Sequence, residues 1–224
     1  MEVKVHRYNL PDLSVMESRE DFAFRIWQPD KVYAILGRAN NPTGSLIVED
    51  IINDNVTVMQ RPSGGEAVIL SPGMLVFSAK IRFERGMNTK DIFKSINRNL
   101  ISRLSALGIE NLQSRGISDL SIGERKILGS SMYLNKDKLF YHAVLNLYAD
   151  TSLISKYLSH PKREPDYRKG RSHKDFVSSL QKEGYEISFE DVADCVKFAF
   201  KNLFFQSSEK QEIPEPDYQH SFSL

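Results

Sequence analysis

Residues 61–80, RPSGGEAVILSPGMLVFSAK, are the first in the chain whose types and spacing suit chemistry. Arg61 precedes a tight Ser63-Gly64-Gly65 turn. Glycines admit positive φ and let a ligand approach the backbone, so the amides of such a turn can bind an anion. An arginine beside them adds a planar fork for phosphate or carboxylate. A second candidate lies in residues 116–150, where Lys126 opens a strand and Gly129-Ser130-Ser131 follows. Glycine inside a strand marks a bulge or the close approach of a ligand or backbone. Lys126 would then bring an ammonium to a phosphate or a developing oxyanion. Simple alternation puts Leu128 and Ser130 on its face, with Ile127 and Gly129 on the other. Asp119 has the chemistry to position a metal or a nucleotide, and His142 stands in an alternating strand. Each also has a plainer reading: a hairpin turn, a solvated lysine, a turn acid, a structural histidine.

Other reactive side chains say less. His160 and His173 share a loop-rich stretch with Lys162, Arg163, Arg168, Lys169 and Arg171, and no second ligand pair has metal-site spacing. That run reads as a solvated loop, one able to hold a phosphorylated ligand or an acidic partner. Cys195 falls beside an apolar helical stripe and reads as a core thiol. Walker, Rossmann and G-x-S-x-G motifs are absent.

The elements that must position these residues follow from pattern. Strands are expected over 3–8, 23–28, 32–37, 56–60, 67–70 and 74–83, with 23–28 and 32–37 paired around Pro29-Asp30. The stripe Ile92, Ile96, Leu100 and Leu104 predicts a helix over 89–107, capped by Thr89. Further strands are expected over 119–122, 126–134 and 139–148, and short helices over 151–158 and 173–180. An amphipathic closing helix is expected over 189–205, with Val192, Val196, Ala199 and Leu203 on one face. Runs of strands with helices between them indicate an α+β fold, a mixed sheet flanked by helices.

Composition bounds the rest. The 224 residues carry a formal net charge of +1, so no global field points to nucleic acid. No apolar run is long enough to span a bilayer, and the first residues lack the apolar core of a signal peptide. A single cysteine excludes an intrachain disulfide and fits a cytoplasmic location. The expectation is one domain over residues 1–205 and a flexible tail over 206–224.

Five blocks, taken in order, resemble the lipoate–protein ligase family, relatives of biotin ligases and octanoyltransferases. They are GRANNP at 37–42, NVTVMQRPSGGEAV at 55–68, SDL at 118–120, RKILGSS at 125–131 and FYHAVLNLYAD at 140–150. RSHKDFVSSL at 171–180 resembles a later helix start of that family. The resemblance implies a biotin/lipoate-ligase catalytic fold, and an enzyme that activates lipoate with ATP and Mg²⁺ to lipoyl-AMP. The lipoyl group would then pass to a lysine of a carrier domain in a 2-oxoacid dehydrogenase complex or a glycine-cleavage carrier. It implies that Arg61, Ser63, Gly64 and Gly65 cradle the acyl-adenylate and that Lys126 meets its carbonyl and phosphate. Gly129 and Ser130 would lie beside the ligand, Asp119 near the nucleotide as a Mg²⁺ ligand, and His142 along the acyl pocket. Glu66 stands where the family has a third glycine, and Leu70-Ser71 where it has His-Asp. The resemblance implies that residues 1–205 are a single catalytic domain with no C-terminal accessory domain, which adds a separate accessory chain to the expected partners. The alternatives are a lipoyl or octanoyl transferase between carriers and a non-catalytic lipoyl-binding homologue.

Overall fold

The computed structural model describes residues 2–82, 88–135 and 138–204. In chain order it contains β1 Val5–Arg7, α1 Leu13–Glu17, β2 Ala23–Trp27, β3 Tyr33–Leu36, α2 Pro42–Ser45, α3 Val48–Asn53, β4 Thr57–Gln60 and β5 Val68–Leu70. There follow β6 Met74–Arg82, α4 Thr89–Ser105, β7 Leu112–Arg115, β8 Asp119–Ile122, β9 Arg125–Asn135, β10 Lys138–Asn146, α5 Ser152–Tyr157, α6 His173–Phe176 and α7 Phe189–Phe204. The tail expected over 206–224, Phe83 and Phe205 lie outside the described residues.

Two sheets result. The larger is antiparallel throughout, in the order β2-β6-β10-β9-β8-β7. The smaller is the mixed one, in the order β1-β4-β3-β5, with β3–β5 its antiparallel pair. The expected pairing of 23–28 with 32–37 is therefore corrected. Ala23–Trp27 pairs with β6, while Tyr33–Leu36 joins β4 and β5. The Pro29-Asp30 segment is a crossover between sheets, and every residue of β3 is buried there. Two short β-rich runs near a turn have no local signal that distinguishes a hairpin from a crossing.

Period-two alternation splits β6 between two cores. Leu75, Phe77, Ala79 and Ile81 pack against Ile96, Leu100 and Leu104 of α4 and Val192, Val196 and Ala199 of α7. Met74 and Val76 face the small sheet instead. Because both faces are covered, β6 is buried along almost its whole length. The cap of α4 is Asn88, whose side chain accepts from the Lys90 amide, and Thr89 is the first helical residue.

Two further corrections matter for the site. The helix expected over 173–180 stops at Phe176, because Val177 bridges to Lys126 and the Ser178 amide donates to the Lys126 carbonyl at 2.8 Å. Simple alternation in β9 also fails. Ser121 pairs with Lys126 but Leu120 pairs with Leu128, so Ile127 is an extra, bulged residue. The bulge moves Lys126 to the face of Gly129 and away from that of Leu128 and Ser130.

Candidate active site

A cavity of about 750 Å³ opens between the two sheets, bounded on its third side by the 158–177 segment. Ile35, Val68, Leu70, Met74, Val76 and Val144 give it an apolar wall, and Arg115, Asp119, Lys126, Arg163 and Arg168 a charged one. Such a site suits a ligand with an apolar end and an anionic end.

The bulge in β9 builds the charged wall. Lys126 Nζ lies 2.8 Å from Asp119 Oδ1, with Asp119 almost buried. The other oxygen, Oδ2, accepts from the Tyr167 hydroxyl at 2.9 Å. Burial first, then Asp119, pushes the Tyr167 phenol far above its ordinary value, so it stays a donor. Gly129 lies directly beneath the lysine: a Cβ there would meet Lys126 Cε and Nζ at 2.9 Å. Gly129 thus sits against Lys126 and is matched to its length. Ser130 also lines the cavity, but its hydroxyl donates to the Ser118 carbonyl at 2.8 Å and so secures the turn before Asp119. Among the described residues no group of three metal-ligating side chains forms, and both Asp119 oxygens are engaged. The carboxylate is shared by the lysine and the tyrosine.

Opposite stands the glycine turn. Arg61 is buried and spends its donors inside the loop: Nε to Ser63 Oγ at 3.0 Å, Nη2 to the Gly64 and Glu66 carbonyls at 2.8 Å each, and Nη1 to the Ile35 carbonyl at 3.3 Å. Burial pulls its guanidinium down to about 10, still charged at neutral pH. The arginine shapes the turn from behind, turning the carbonyls of Gly64 and Glu66 inward. Among the described residues no hydrogen bond engages the amides of Gly64 and Gly65. Gly65 has φ +91°, a conformation that a side chain would strain.

Flanking segments lock the turn. Ser131 Oγ donates to the Gly64 carbonyl at 3.1 Å, and the Arg38 amide to the Ser63 carbonyl at 2.9 Å. A Cβ on Gly37 would lie 2.1 Å from the Gly65 carbonyl oxygen. Asn40 Oδ1 holds the Gly37 amide at 2.8 Å, and Gln60 Nε2 donates to carbonyls of the same turn. The block at 37–42 is thus the floor on which 61–66 rests.

His142 lies under the turn. Its Nε2 is 2.7 Å from Ser63 Oγ, and its Nδ1 is 3.8 Å from Asp12 Oδ2. Burial, and then Arg61, hold the imidazole below its ordinary value against the opposing pull of Asp12. Tyr8 donates to Asp12 Oδ1 at 2.7 Å. Burial and Asp12 raise the Tyr8 phenol well above its usual range.

The structure therefore gathers Lys126, Asp119 and Gly129 on one wall and Arg61, Gly65 and His142 on the other, with Ser63 and Gly64 in the turn behind that wall. Sequence reasoning missed Tyr8, Asp12, Tyr167 and Ser131. Tyr167 sits inside the basic run, where the D-Y-R triplet gave no periodicity to read. Asp12 precedes a helix too short to register. Cys195 lines no part of the cavity; its Sγ sits 3.5 Å from the Arg103 carbonyl, and burial raises its thiol.

Comparison with known proteins agrees with this fold. The lipoyl protein ligase A/B catalytic domain profile matches residues 13–201. Among solved structures, the chain is similar to a bipartite lipoate protein ligase from Thermoplasma acidophilum, described with its E2 lipoyl domain. The TM-score is 0.74 at 18% identity, covering 98% of this chain and 90% of that one. It is also similar to a T. acidophilum protein with bound lipoic acid, with a TM-score of 0.71 at 17% identity over 85% and 76%. A lipoate-protein ligase A bound with ATP aligns at 0.72 and 17% identity over 90% and 85%.

Proposed function

Since this chain belongs to the lipoyl protein ligase A/B catalytic-domain family, we propose that it is an ATP-dependent lipoate–protein ligase. The observation that carries this reading is the pairing, across one cavity, of the Lys126–Asp119 wall with an anion-ready glycine turn, next to an apolar wall. Lipoate has the matching form, an apolar chain ending in a carboxylate. ATP enters as a substrate in its Mg²⁺ complex.

A carboxylate is a poor electrophile and must first be activated. Its oxygen attacks the α-phosphorus of ATP, the P–O bond to pyrophosphate breaks, and lipoyl-AMP forms. Gly64 and Gly65 supply amide hydrogens to phosphate oxygens, and the positive charge of Lys126 stabilises the negative charge that develops on the non-bridging oxygens. Asp119 and Tyr167 hold the lysine on station until the ligand takes it. A lysine amine of the carrier then attacks the acyl carbonyl. The C–O bond to AMP breaks, the amine loses a proton, and an amide remains. Positioning accounts for most of what these groups do.

The relatives described with lipoic acid, ATP and a lipoyl domain support lipoate, ATP and a lipoyl-carrier domain as the ligands here. The bipartite archaeal ligase supports a separate accessory chain as a partner. A cysteine-based transferase finds less support, because Cys195 sits between α7 and the end of α4, apart from the cavity. The test is lipoate-dependent exchange of labelled pyrophosphate into ATP. Exchange with lipoate and none without it is expected. Acylation of a cysteine by octanoyl-carrier, forming a thioester and releasing the carrier thiol, in place of that exchange would favour the transferase.

A further inference from the structure

Below the glycine turn, and apart from the lysine wall, runs a buried polar chain: Tyr8, Asp12, His142, Ser63, Arg61. Its centre resembles a nucleophilic Ser-His-Asp arrangement. Ser63 is fully buried, however, and forms no part of the cavity wall, so its oxygen cannot meet a substrate carbonyl. Helix capping does not explain Asp12 either. It stands at the N-cap of α1, yet its side chain makes no capping hydrogen bond. Its Oδ1 accepts from Tyr8, and its Oδ2 is buried with no hydrogen-bond partner, 3.8 Å from His142 Nδ1. A fully buried carboxylate that caps nothing and lines nothing needs another reason to be there.

Proton accounting supplies one. Arg61 Nε is always a donor, and it occupies a lone pair of Ser63 Oγ at 3.0 Å. A carboxylate 3.8 Å from a ring nitrogen attracts an N–H and repels a bare lone pair, which places the ring hydrogen on the nitrogen facing Asp12. In a neutral ring Nε2 is then bare, and the 2.7 Å contact with Ser63 becomes a bond donated by the serine hydroxyl. The hydroxyl's direction is thereby fixed, and with it the arginine that ties down the Gly64 and Glu66 carbonyls.

We propose that Asp12 is a positioning residue: it fixes His142 in the Nδ1–H form, so that Ser63 and Arg61 hold the Gly64-Gly65 turn with its amides facing the ligand. The N-terminal segment, through Tyr8 and Asp12, is by this account part of the active-site support. The proposal rests on the ligase reading for its activity readout and on geometry alone for the tautomer.

The test combines ¹⁵N-histidine NMR of the full chain with assays of lipoyl-AMP formation. Asp12→Asn keeps the shape and the acceptor for Tyr8, but its amide donates to Nδ1 and moves the ring hydrogen to Nε2. The expected results are an Nδ1–H signal for His142 in the wild type, an Nε2–H signal in the variant, and a fall in kcat/KM of about tenfold or more. Ser63→Ala should lower kcat/KM similarly while keeping the Nδ1–H signal, and the double variant should fall no further than either single one. An Nε2–H ring in the wild type overturns the proposal, even if no variant folds. So does a tautomer switch with unchanged kcat/KM. A wild type that makes no lipoyl-AMP yet shows the switch sinks the ligase reading and upholds the tautomer assignment.

Discussion

Lys126 and Gly129 act as one unit. The lysine ammonium reaches Asp119 only because the residue three positions on has no side chain. Gly129→Ala adds a methyl 2.9 Å from the end of a flexible chain, so the lysine moves and the strand does not. The expected outcome is a loss of about 100-fold in kcat, the cost of a misplaced reacting group, with a melting temperature near that of the wild type. Lys126→Ala removes the charge altogether and should cost about 10²–10³-fold in lipoyl-AMP formation. Tyr167 still donates to Asp119 in that variant, so the fold should persist. Single-turnover assays beside thermal melts check both; parallel losses of rate and stability would make the pair structural. Glu66 lines the cavity next to the turn. Glu66→Gly should raise activity if its charge only weakens the anion cradle; a fall would show that it touches the ligand's counter-ion.

At the scale of elements, the site depends on close packing of irregular segments. Gly37→Ala would place a methyl 2.1 Å from the Gly65 carbonyl, a backbone atom that cannot swing aside. The glycine turn must shift as a body, and ATP affinity measured by calorimetry should fall by about tenfold or more. The helical layer is a separate matter. Leu100 of α4 is fully buried, so Leu100→Ala should cost about 2–5 kcal/mol in denaturant unfolding and leave the turn unchanged. Long periodic elements were legible in the sequence for this reason: stripes such as Ile96-Leu100-Leu104 and the apolar run of β6 follow directly from burial. The glycine turn and the lysine strand were legible from residue chemistry. The bulge at Ile127 was not, since one inserted residue leaves no mark in the pattern yet reverses which side chains share a face. Nor was Asp12 legible, because a buried acid looks like any surface acid until its partners arrive from distant strands.

The whole molecule should feel the buried imidazole when pH falls. His142 is held below its ordinary value, chiefly by burial. Above about pH 6.5 it is neutral both folded and unfolded. Below that the unfolded chain binds the proton first, so stability drops as pH falls toward the folded value. Any stability advantage of the wild type over His142→Gln should therefore be constant above about pH 6.5 and shrink below it, as urea unfolding would show. An advantage that grew on acidification would mean a charged imidazole in the folded state. Among the described residues no helix is long and apolar enough to cross a membrane. The most direct measurement gives the protein ATP, Mg²⁺, lipoic acid and a lipoyl-carrier domain, and weighs the intact carrier by mass spectrometry. A lipoyl increment that needs ATP and disappears with Lys126→Ala is the predicted result; an increment only from pre-made lipoyl-AMP assigns activation to a second chain. An unmodified carrier, even with pre-made lipoyl-AMP, would contradict the ligase.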